Sequence, residues 1–378
     1  MRRGAVVVPS SKSIAHRELI AAALSGGEPP IVRGESNDTR ATRNCLKAMM
    51  TGESVWPCGE SGTTLRLLEP IAGVMGWKGE FACEGRLGER PRMPFVRQTR
   101  YVIPGNVSSQ FVSGLLMALP LADWDSEIVI DGHLQSEAYV RLTEDVLRES
   151  GIEVEKSSNR LKEGEGAIER SEIAEGLRLR RTKEGKIPLL ASALSPSNFS
   201  NLQPSQPSQR WTIRGGQRYR FVGGREVEGD WSQAAFFLAM GAEVKGLRAD
   251  SHQGDRAVVE LLSRIDAEPA DPIDISQTPD LYPVLAAVAA ARGKTVSFCG
   301  TERLRLKESD RLHSTAALIE AVKHGSPVDT FGDHRIAMSA AVMACFATRP
   351  IEVVGAECVA KSYPGFWDDF ESLERIAP

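Results

Sequence analysis

No run of apolar residues in this 378-residue chain is long enough to cross a membrane; even Leu285 to Ala291 is short and leads into Arg292 and Lys294. The opening residues, MRRGAVVVPSSK, hold two arginines but too short an apolar stretch for a secretory signal. The six cysteines (Cys45, Cys58, Cys83, Cys299, Cys345, Cys358) are scattered without a CxxC pair, which argues against metal binding and against a disulfide framework. They are expected to be free thiols in a reducing cytoplasm. The six histidines form no HExxH or comparable ligand spacing, so no metal is expected. An excess of charge is missing as well: 46 Lys and Arg face 50 Asp and Glu, and a net charge of -4 gives no support for nucleic-acid binding.

What is present points to two domains, because the chain is long for a single core. The stretch PSSKSIAHRELIAAAL, Pro9 to Leu24, sets a template: small and cationic residues run straight into an apolar helix former. A helix start offers unpaired amides and partial positive charge, and so favours an anion. Lys12 and Arg17 would add full charges there. Similar polar heads with apolar helices behind them begin at Ser61, Ser108, Asp230, Thr278 and Asp333. Three heads, a long gap and three more heads suggest a duplicated domain built from internal repeats. Six ordinary core helices of an α/β protein would also look apolar nearly all round. The near-regular spacing of similar heads is what that simpler reading leaves unexplained.

Between the heads, Ser36 to Met50 reads as an amphipathic helix capped by a serine or aspartate. Ser54 to Cys58 and Ile128 to Ile130 read as strands. Gly79 to Val96 reads as a strand followed by an arginine-rich turn. Ser136 to Ser150 reads as a helix ended by Gly151, with a strand returning at Ile152 to Glu155. Farther along, Ala257 to Ile265, Leu312 to Val322 and Phe366 to Leu373 read as helices, and Thr295 to Cys299 and Ile351 to Val354 as strands. From Lys156 to Gln209 the sequence turns charge-dense and then Ser/Pro/Gln-rich, a composition that cannot bury enough apolar surface to offset ordering. That segment is expected to be a flexible surface insertion outside the chemistry, with Ile187 to Leu194 as an apolar island able to dock locally.

The densest charged motif is LRLKESDRL, Leu304 to Leu312. If the chain is helical or turning there, Lys307 and Arg311 are neighbours on one face, with Glu308 between two cations. Such an arrangement suits proton transfer beside a bound anion; a solvated face laced with ion pairs is the simpler alternative. Lys12, Arg17, Arg66, Arg90, Arg311, Arg335 and Lys361 all lie near the heads or their turns, with Asp280 and Asp333 at two more. Ser108, Ser109 and Gln110 offer hydroxyls and an amide at a helix start. Convergence of the six starts would turn these scattered charges into a site for two anions.

Ten stretches occur in one order: PSSKSIAHR, SNDTR, GESGTTLR, GERP, NVSSQF, VEGDWSQAAFFL, TPD, RLKESDR, GDHRIAM and ECVAKSYP. In type and order they resemble the 5-enolpyruvylshikimate-3-phosphate synthase family of enolpyruvyl transferases. The resemblance spans Pro9 to Pro364, and RLKESDR together with GDHRIAM is its most specific part. It implies an α/β, two-domain enolpyruvyl transferase fold, each domain made of three βαβαββ-type repeats around buried parallel helices. The expected division is an N-terminal domain over 12–228, carrying the insertion 156–209, and a C-terminal domain made of 1–11 and 229–378. The chain would cross between them just before Lys12 and near Asp230.

The resemblance further implies transfer of the enolpyruvyl group of phosphoenolpyruvate to the 5-hydroxyl of shikimate 3-phosphate, releasing phosphate, on the way to aromatic amino acids. It implies no cofactor and a cytoplasmic monomer whose partners are these two small molecules. By motif, Ser13 and Arg17 would bind the shikimate part, and Ser108, Ser109 and Ser136 its phosphate, with Gln110, Asp280 and Lys307 completing that site. Lys12, Arg90, Gln110, Arg311, Arg335 and Lys361 would surround phosphoenolpyruvate, with Gly62 and Thr63 close by. Asp280, Lys307, Glu308 and Lys12 would form the catalytic group.

Two departures stand out. The family often has Asn four residues before the lysine of RLKESDR, whereas Arg303 stands here. Successive heads are also closer together than the family's, so some repeats are expected to be shortened, notably between Arg90 and Val107. Two other readings stay open. The sister transferase acting on UDP-N-acetylglucosamine has a Lys-Asn pair at the first head, where this chain has Lys12-Ser13, and a reactive cysteine at a spacing Cys83 does not match. A non-catalytic anion-binding or scaffold derivative would account for the shortened repeats.

Overall fold

The computed structural model describes residues 2–90, 92–158 and 207–375. Five of the six predicted heads open directly into a helix: α1 (Lys12–Ser25), α3 (Gly62–Met75), α4 (Ser109–Ala118), α6 (Trp231–Met240) and α10 (His334–Ala344). At the other, Thr278, a short 3-10 turn, Pro279–Leu281, leads into α8 (Tyr282–Ala291). The start signals work as capping chemistry predicts. The side chains of Ser61, Ser108, Asp230 and Asp333 each accept a hydrogen bond from an amide of the first turn behind them. Intervening helices are α2 (Asn37–Thr51), opened by a Ser36–Thr39 capping box, α5 (Glu137–Glu149), α7 (Val258–Asp266), α9 (Arg311–His324) and α11 (Phe366–Ser372).

The sheets show where repeats have been cut back. Strands β5 (Arg100–Pro104), β6 (Ser126–Asp131), β7 (Val154–Ser158) and β8 (Pro207–Ile213) make one four-stranded sheet in the order β5-β6-β8-β7. Four other parallel pairs stand alone: β2 (Ala5–Val7) with β9 (Glu243–Lys245), and β3 (Val55–Gly59) with β4 (Glu80–Cys83). The remaining two are β10 (Ile273–Asp274) with β11 (Phe298–Cys299), and β12 (Val328–Asp329) with β13 (Val353–Val354), while β1 (Arg2–Arg3) pairs antiparallel with β14 (Glu374–Arg375). A single parallel bridge, Ile31 to Glu226, marks a sixth such place. Among the described residues, then, one of six units keeps four strands and the rest keep a parallel pair or less.

Two expectations need correction. The region between Arg90 and Val107 is not bare: β5 lies there and pairs in parallel with β6. The insertion cannot begin at Lys156 or end at Gln209, because Lys156, Ser157 and Ser158 pair in antiparallel register with Trp211, Arg210 and Gln209. Charged and small residues are tolerated there since β7 is an edge strand, while on β8 Trp211 is fully buried and donates from Nε1 to Glu144 at 2.6 Å. The rest of the segment, including Ile187 to Leu194, lies outside the described residues.

Buried apolar residues divide into one cluster in the 19–221 stretch and two, a large one and a small one around Leu318 and Ile336, in the rest, with no member in common. The N-terminal group runs from Leu19 to Phe221 around α1, α3, α4 and α5; in the C-terminal group the large cluster joins Val6 and Val8 to residues from Trp231 to Leu373 around α6, α8 and α10. The chain passes between the groups twice, side by side: Ser11 donates to the Glu228 carbonyl at 2.7 Å, and Asp230 to the Pro9 carbonyl at 2.9 Å.

Close approach of α3 and α4 sets two heads in register. Pro70 has no N–H for the carbonyl of Arg66, and Gly114 of α4 packs against that oxygen; a Cβ at Gly114 would lie 2.2 Å from it. With the backbones this close, Arg66 donates to Gln110 Oε1 at 2.7 Å, and Gln110 Nε2 to Thr63 Oγ1 at 2.8 Å.

Candidate active site

Where the helix starts of the two groups face each other there is a cavity of about 260 Å³. Its walls bring together Lys12, Ser13, Arg17, Gly62, Thr63, Arg90, Ser108, Ser109, Gln110, Ser136, Asp280, Lys307, Glu308, Arg311 and Arg335. Every site residue assigned by motif except Lys361 is in that set; Arg66 lines the cavity as well, and Asp333 does not. Eight lysines and arginines line the cavity against three carboxylates, in a chain whose overall charge is slightly negative. Five of the six predicted heads contribute. The head at Asp230 stands behind the wall, its carboxylate accepting from the Lys12 amide at 2.9 Å, while Ser232 accepts from Arg335 at 2.7 Å.

Lys361 also stands behind the wall. Its Nζ donates to the Glu60 carbonyl and carboxylate at 3.1 Å each and lies 3.6 Å from Asp38 Oδ1. The other Asp38 oxygen holds Lys12 Nζ at 2.9 Å. Burial would raise the pKa of Asp38, but Lys12 and Lys361 outweigh it and keep the carboxylate below its ordinary value. Asp38 therefore fixes two cations by one anion.

At the opposite wall the RLKESDR segment is not one helix. A 3-10 turn, Glu302–Leu306, is followed by extended backbone at Lys307, and α9 starts only at Arg311, where the Asp310 side chain takes the amides of Leu312 and His313. Lys307 and Arg311 are thus not i,i+4 helical neighbours. They meet because both reach Asp280 Oδ1, at 3.1 and 2.7 Å, while Arg335 reaches Oδ2 at 3.1 Å. Burial alone would raise the pKa of Asp280; Arg335, Lys307 and Arg311 together drive it well below the usual carboxylate range.

Glu308 sits between Arg311, at 2.6 Å, and Arg90, at 3.6 Å, rather than between Lys307 and Arg311. Burial again opposes ionisation there, and Arg311 and Arg90 again prevail, so its pKa is also held well below normal. Lys307 moves the other way. Burial lowers its pKa and Asp280 only partly restores it, which leaves an ammonium readier than usual to give up a proton. Arg311 is 1% exposed and grips Asp280, Glu308 and the wholly buried Asp333 at once, so in this state it binds carboxylates of the protein itself.

Arg17 differs. Buried, it donates to Thr143 Oγ1 at 2.7 Å, the Ser13 carbonyl at 2.6 Å, Ser113 Oγ at 3.1 Å and the Tyr139 carbonyl at 2.8 Å, all of them neutral. Desolvation brings its pKa down to about 10. A buried guanidinium with no carboxylate partner among the described residues keeps a charge that an anion could match.

Sequence reasoning passed over Asp38, Asn106, Tyr139 and His334 as site residues, although all line the cavity. Asp38 lies within SNDTR and His334 within GDHRIAM, so the motif held the signal; Tyr139 follows Ser136 by three residues, in the first turn of α5. His334 is buried with no hydrogen-bond partner for either ring nitrogen among the described residues, and burial keeps it neutral. Among the described residues, no group of three or more His, Cys, Asp or Glu side chains is arranged to hold a metal ion, and no helix is long and apolar enough to cross a membrane.

Comparison with known proteins adds a lineage to this geometry. The family model for EPSP synthase (3-phosphoshikimate 1-carboxyvinyltransferase) matches residues 2–102, 96–170 and 200–370. A 3-phosphoshikimate 1-carboxyvinyltransferase of Clostridium kluyveri is 34% identical over 453 residues, covering 98% of this chain and 95% of the relative. One of Clostridium perfringens strain SM101 is 30% identical over 459 residues, covering 99% and 96%. Both alignments are longer than the chain itself, so the relatives carry stretches that are missing here, in keeping with the two-stranded sheets. Among solved structures, EPSP synthase of Acinetobacter baumannii superposes with a TM-score of 0.62 at 19% identity, covering 99% of this chain and 97% of that one.

Proposed function

The chain belongs to the EPSP synthase family, and on that premise we propose that it transfers the enolpyruvyl group of phosphoenolpyruvate to the 5-hydroxyl of shikimate 3-phosphate, with release of phosphate. The observation that carries this reading is the cavity, in which eight cations drawn from both halves enclose the pair Asp280 and Glu308. Two polyanions can be brought together only if fixed positive charge replaces their hydration, and donors held in place do so without reorganisation during the reaction.

In the arrangement we propose, Ser13 and Arg17 hold the shikimate part, and Ser108, Ser109 and Ser136 hold its phosphate with Gln110. Lys12, Arg90, Arg335 and Arg311 face the carboxylate and phosphate of phosphoenolpyruvate, beside Gly62 and Thr63, and Lys361 acts through Asp38. Addition needs a base at the attacking hydroxyl and an acid at the enol methylene; elimination reverses the roles. Asp280 and Lys307 serve the hydroxyl. Glu308 serves the methylene: an incoming anion that takes Arg90 and Arg311 from it raises its pKa and lets it carry the proton. The oxygen of shikimate 3-phosphate bonds to C2 as C3 is protonated. The C2–O bond to phosphate then breaks as that proton leaves.

The paired crossings at residues 9–11 and 228–230 are, on this reading, the hinge between domains 12–228 and 1–11 with 229–378. Ion pairs such as Arg90 with Glu308 and Lys361 with Asp38 close the site across it. We further propose a cytoplasmic monomer; the six free cysteines suit a reducing compartment. The test is phosphate release from phosphoenolpyruvate with shikimate 3-phosphate as acceptor, and with UDP-N-acetylglucosamine in a parallel reaction. Release dependent on shikimate 3-phosphate is expected. Release with the nucleotide sugar alone would make the chain the sister transferase, and binding of both anions without release would make it a non-catalytic derivative.

A further inference from the structure

We propose that Asp255 is a positioning residue for the reaction, a carboxylate behind the cavity wall whose charge sets how strongly Asp280 takes the proton of the acceptor hydroxyl; the inference rests on the acceptor reading above. It begins with the turn Ser251 to Asp255, which belongs to the C-terminal half but is built against α5 of the other. His252 Nδ1 meets Asp145 of α5. Gly254 comes so close that a Cβ there would lie 2.9 Å from the Cβ of Ala138. The Tyr139 hydroxyl donates to Asp255 Oδ2 at 3.5 Å. Gln253 ties the same turn to both chain crossings. Its Oε1 accepts from Ser11 Oγ at 3.0 Å and from the Trp231 amide at 3.1 Å, and its Nε2 donates to the Gly229 carbonyl at 2.9 Å. Asp255 is thus held in place by the crossings and meets Tyr139 only while the halves are together.

The side chain is buried and does not line the cavity, whereas Tyr139, Asp280 and Arg335 do. Its Oδ1 has no hydrogen-bond partner among the described residues. A buried carboxylate so poorly supplied with donors is costly to ionise. Asp280 is the opposite case, gripped by Arg335, Lys307 and Arg311. The two carboxylates flank one guanidinium: Arg335 Nη2 donates to Asp280 Oδ2 at 3.1 Å and to Ser232 Oγ at 2.7 Å, and that hydroxyl favours the charged form of Asp255. The charged and titratable groups facing Asp255 are Asp280, Arg335, Asp230 and Tyr139. Burial and the charges of Asp280 and Asp230 outweigh Arg335 and Ser232, and push its pKa up to about 6. Tyr139 stays neutral, because burial and the charges of Asp255 and Asp280 hold its pKa well above the usual value. Charge interaction is mutual, so an ionised Asp255 acts on Asp280 as Asp280 acts on it. Below about pH 6 Asp255 is neutral, and the three cations on Asp280 make it a poor base. Above that pH the charge of Asp255 offsets part of their pull and makes Asp280 the stronger base.

The experiment measures kcat and KM for both substrates from pH 5.5 to 8.5 in the unsubstituted chain, Asp255→Asn and Ser232→Ala, with a thermal melt of each. Asp255→Asn fixes the neutral state. The ratio of parent kcat to that of Asp255→Asn is expected to be about 10 at pH 8, as for a shift of roughly one pKa unit in the base. It should fall to within about 2-fold at pH 5.5, where the parent is neutral at this position too. Titration of the substrates' own phosphates is common to both proteins and cancels in the ratio. Each KM should stay within about 3-fold. Ser232→Ala keeps Asp255 but removes a group that favours its charge, so the low-pH limb of kcat should move to higher pH, by about half a unit. A ratio that is the same at every pH would make Asp255 a structural support of its turn and overturn the proposal, as would a ratio near 1 throughout. If Asp255→Asn does not fold, an unmoved limb in Ser232→Ala overturns it. If the unsubstituted chain fails to turn over shikimate 3-phosphate, the acceptor reading has failed and this inference falls with it; an active parent whose ratio ignores pH refutes this inference alone.

Discussion

Replacing Glu308 by Gln should lower turnover and tighten phosphoenolpyruvate at the same time. The amide keeps the size and the acceptor oxygen that faces Arg311 at 2.6 Å, but it can neither donate and recover a proton nor repel an incoming anion. Loss of a general acid–base group costs about 10²–10⁴-fold in rate. The effect on affinity follows from the charge that is removed. A unit charge pair at about 4 Å is worth roughly 4 kcal/mol at an effective dielectric of 20. Most of that is offset here, because Arg311 keeps Asp280 and Asp333 and Arg90 is 3.6 Å away from Glu308. About 1–2 kcal/mol should remain in favour of phosphoenolpyruvate, or roughly 5- to 30-fold in its dissociation constant. Shikimate 3-phosphate affinity should hardly change. Phosphate release gives kcat, and calorimetry with phosphoenolpyruvate in the presence of shikimate 3-phosphate gives the affinity. Turnover within tenfold of the parent would remove Glu308 from proton transfer. Weaker phosphoenolpyruvate binding would show that its carboxylate does not compete for Arg90 and Arg311.

Asp333→Asn should destabilise the fold by roughly 3–5 kcal/mol, because it leaves Arg311 buried with less countercharge; a melting temperature within about 3 °C of the parent would refute this. His16 is buried with its pKa lowered to about 3. Between about pH 6.5 and that value the unfolded chain binds a proton that the folded chain refuses, so stability falls as pH falls, by about 1.4 kcal/mol per pH unit. In urea titrations from pH 6 to 4.5, His16→Asn should show a shallower slope than the parent, and equal slopes would count against the argument. Replacing residues 160–205 by a short Gly/Ser turn should preserve both the cooperative melt and shikimate 3-phosphate affinity. Removing Ser157 to Ser208 should cost stability, because it cuts into the β7–β8 pairing; equal melts for the two deletions would contradict the strand assignment.

The helix starts could be read from the chain because they are local events. Ser61, Ser108, Asp230 and Asp333 cap the turns that directly follow them, and the apolar runs behind them are buried whichever neighbour covers them. The candidate site residues could be gathered because their motifs occur together and in one order; all those assigned by motif but Lys361 line one cavity. Short strands escaped notice. Ile273–Asp274, Val328–Asp329 and Glu243–Lys245 have too few residues for any alternation to show, and β5 is apolar through three successive positions. The ends of the 156–209 segment were misjudged for a related reason: strand pairing is a property of two distant stretches, and the composition of Lys156 to Ser158 alone resembles a loop.

The pairing of charges was decided by tertiary structure alone. The sequence named Lys307, Glu308, Arg311 and Asp280, but a helix through RLKESDR would have put Lys307 beside Arg311 by periodicity. The Asp310 cap instead starts α9 at Arg311, and the two cations meet only at Asp280, some thirty residues earlier in the chain. Arg303 looked like a departure from a pattern, yet in the fold it donates to the hydroxyl of Ser136, whose backbone is left-handed and whose helix start is capped by Gln277. Amino-acid order determined which groups were available and which helices they begin. Only the folded arrangement, in which burial magnifies each uncompensated charge, decided which cations are already paired and which are left for a ligand.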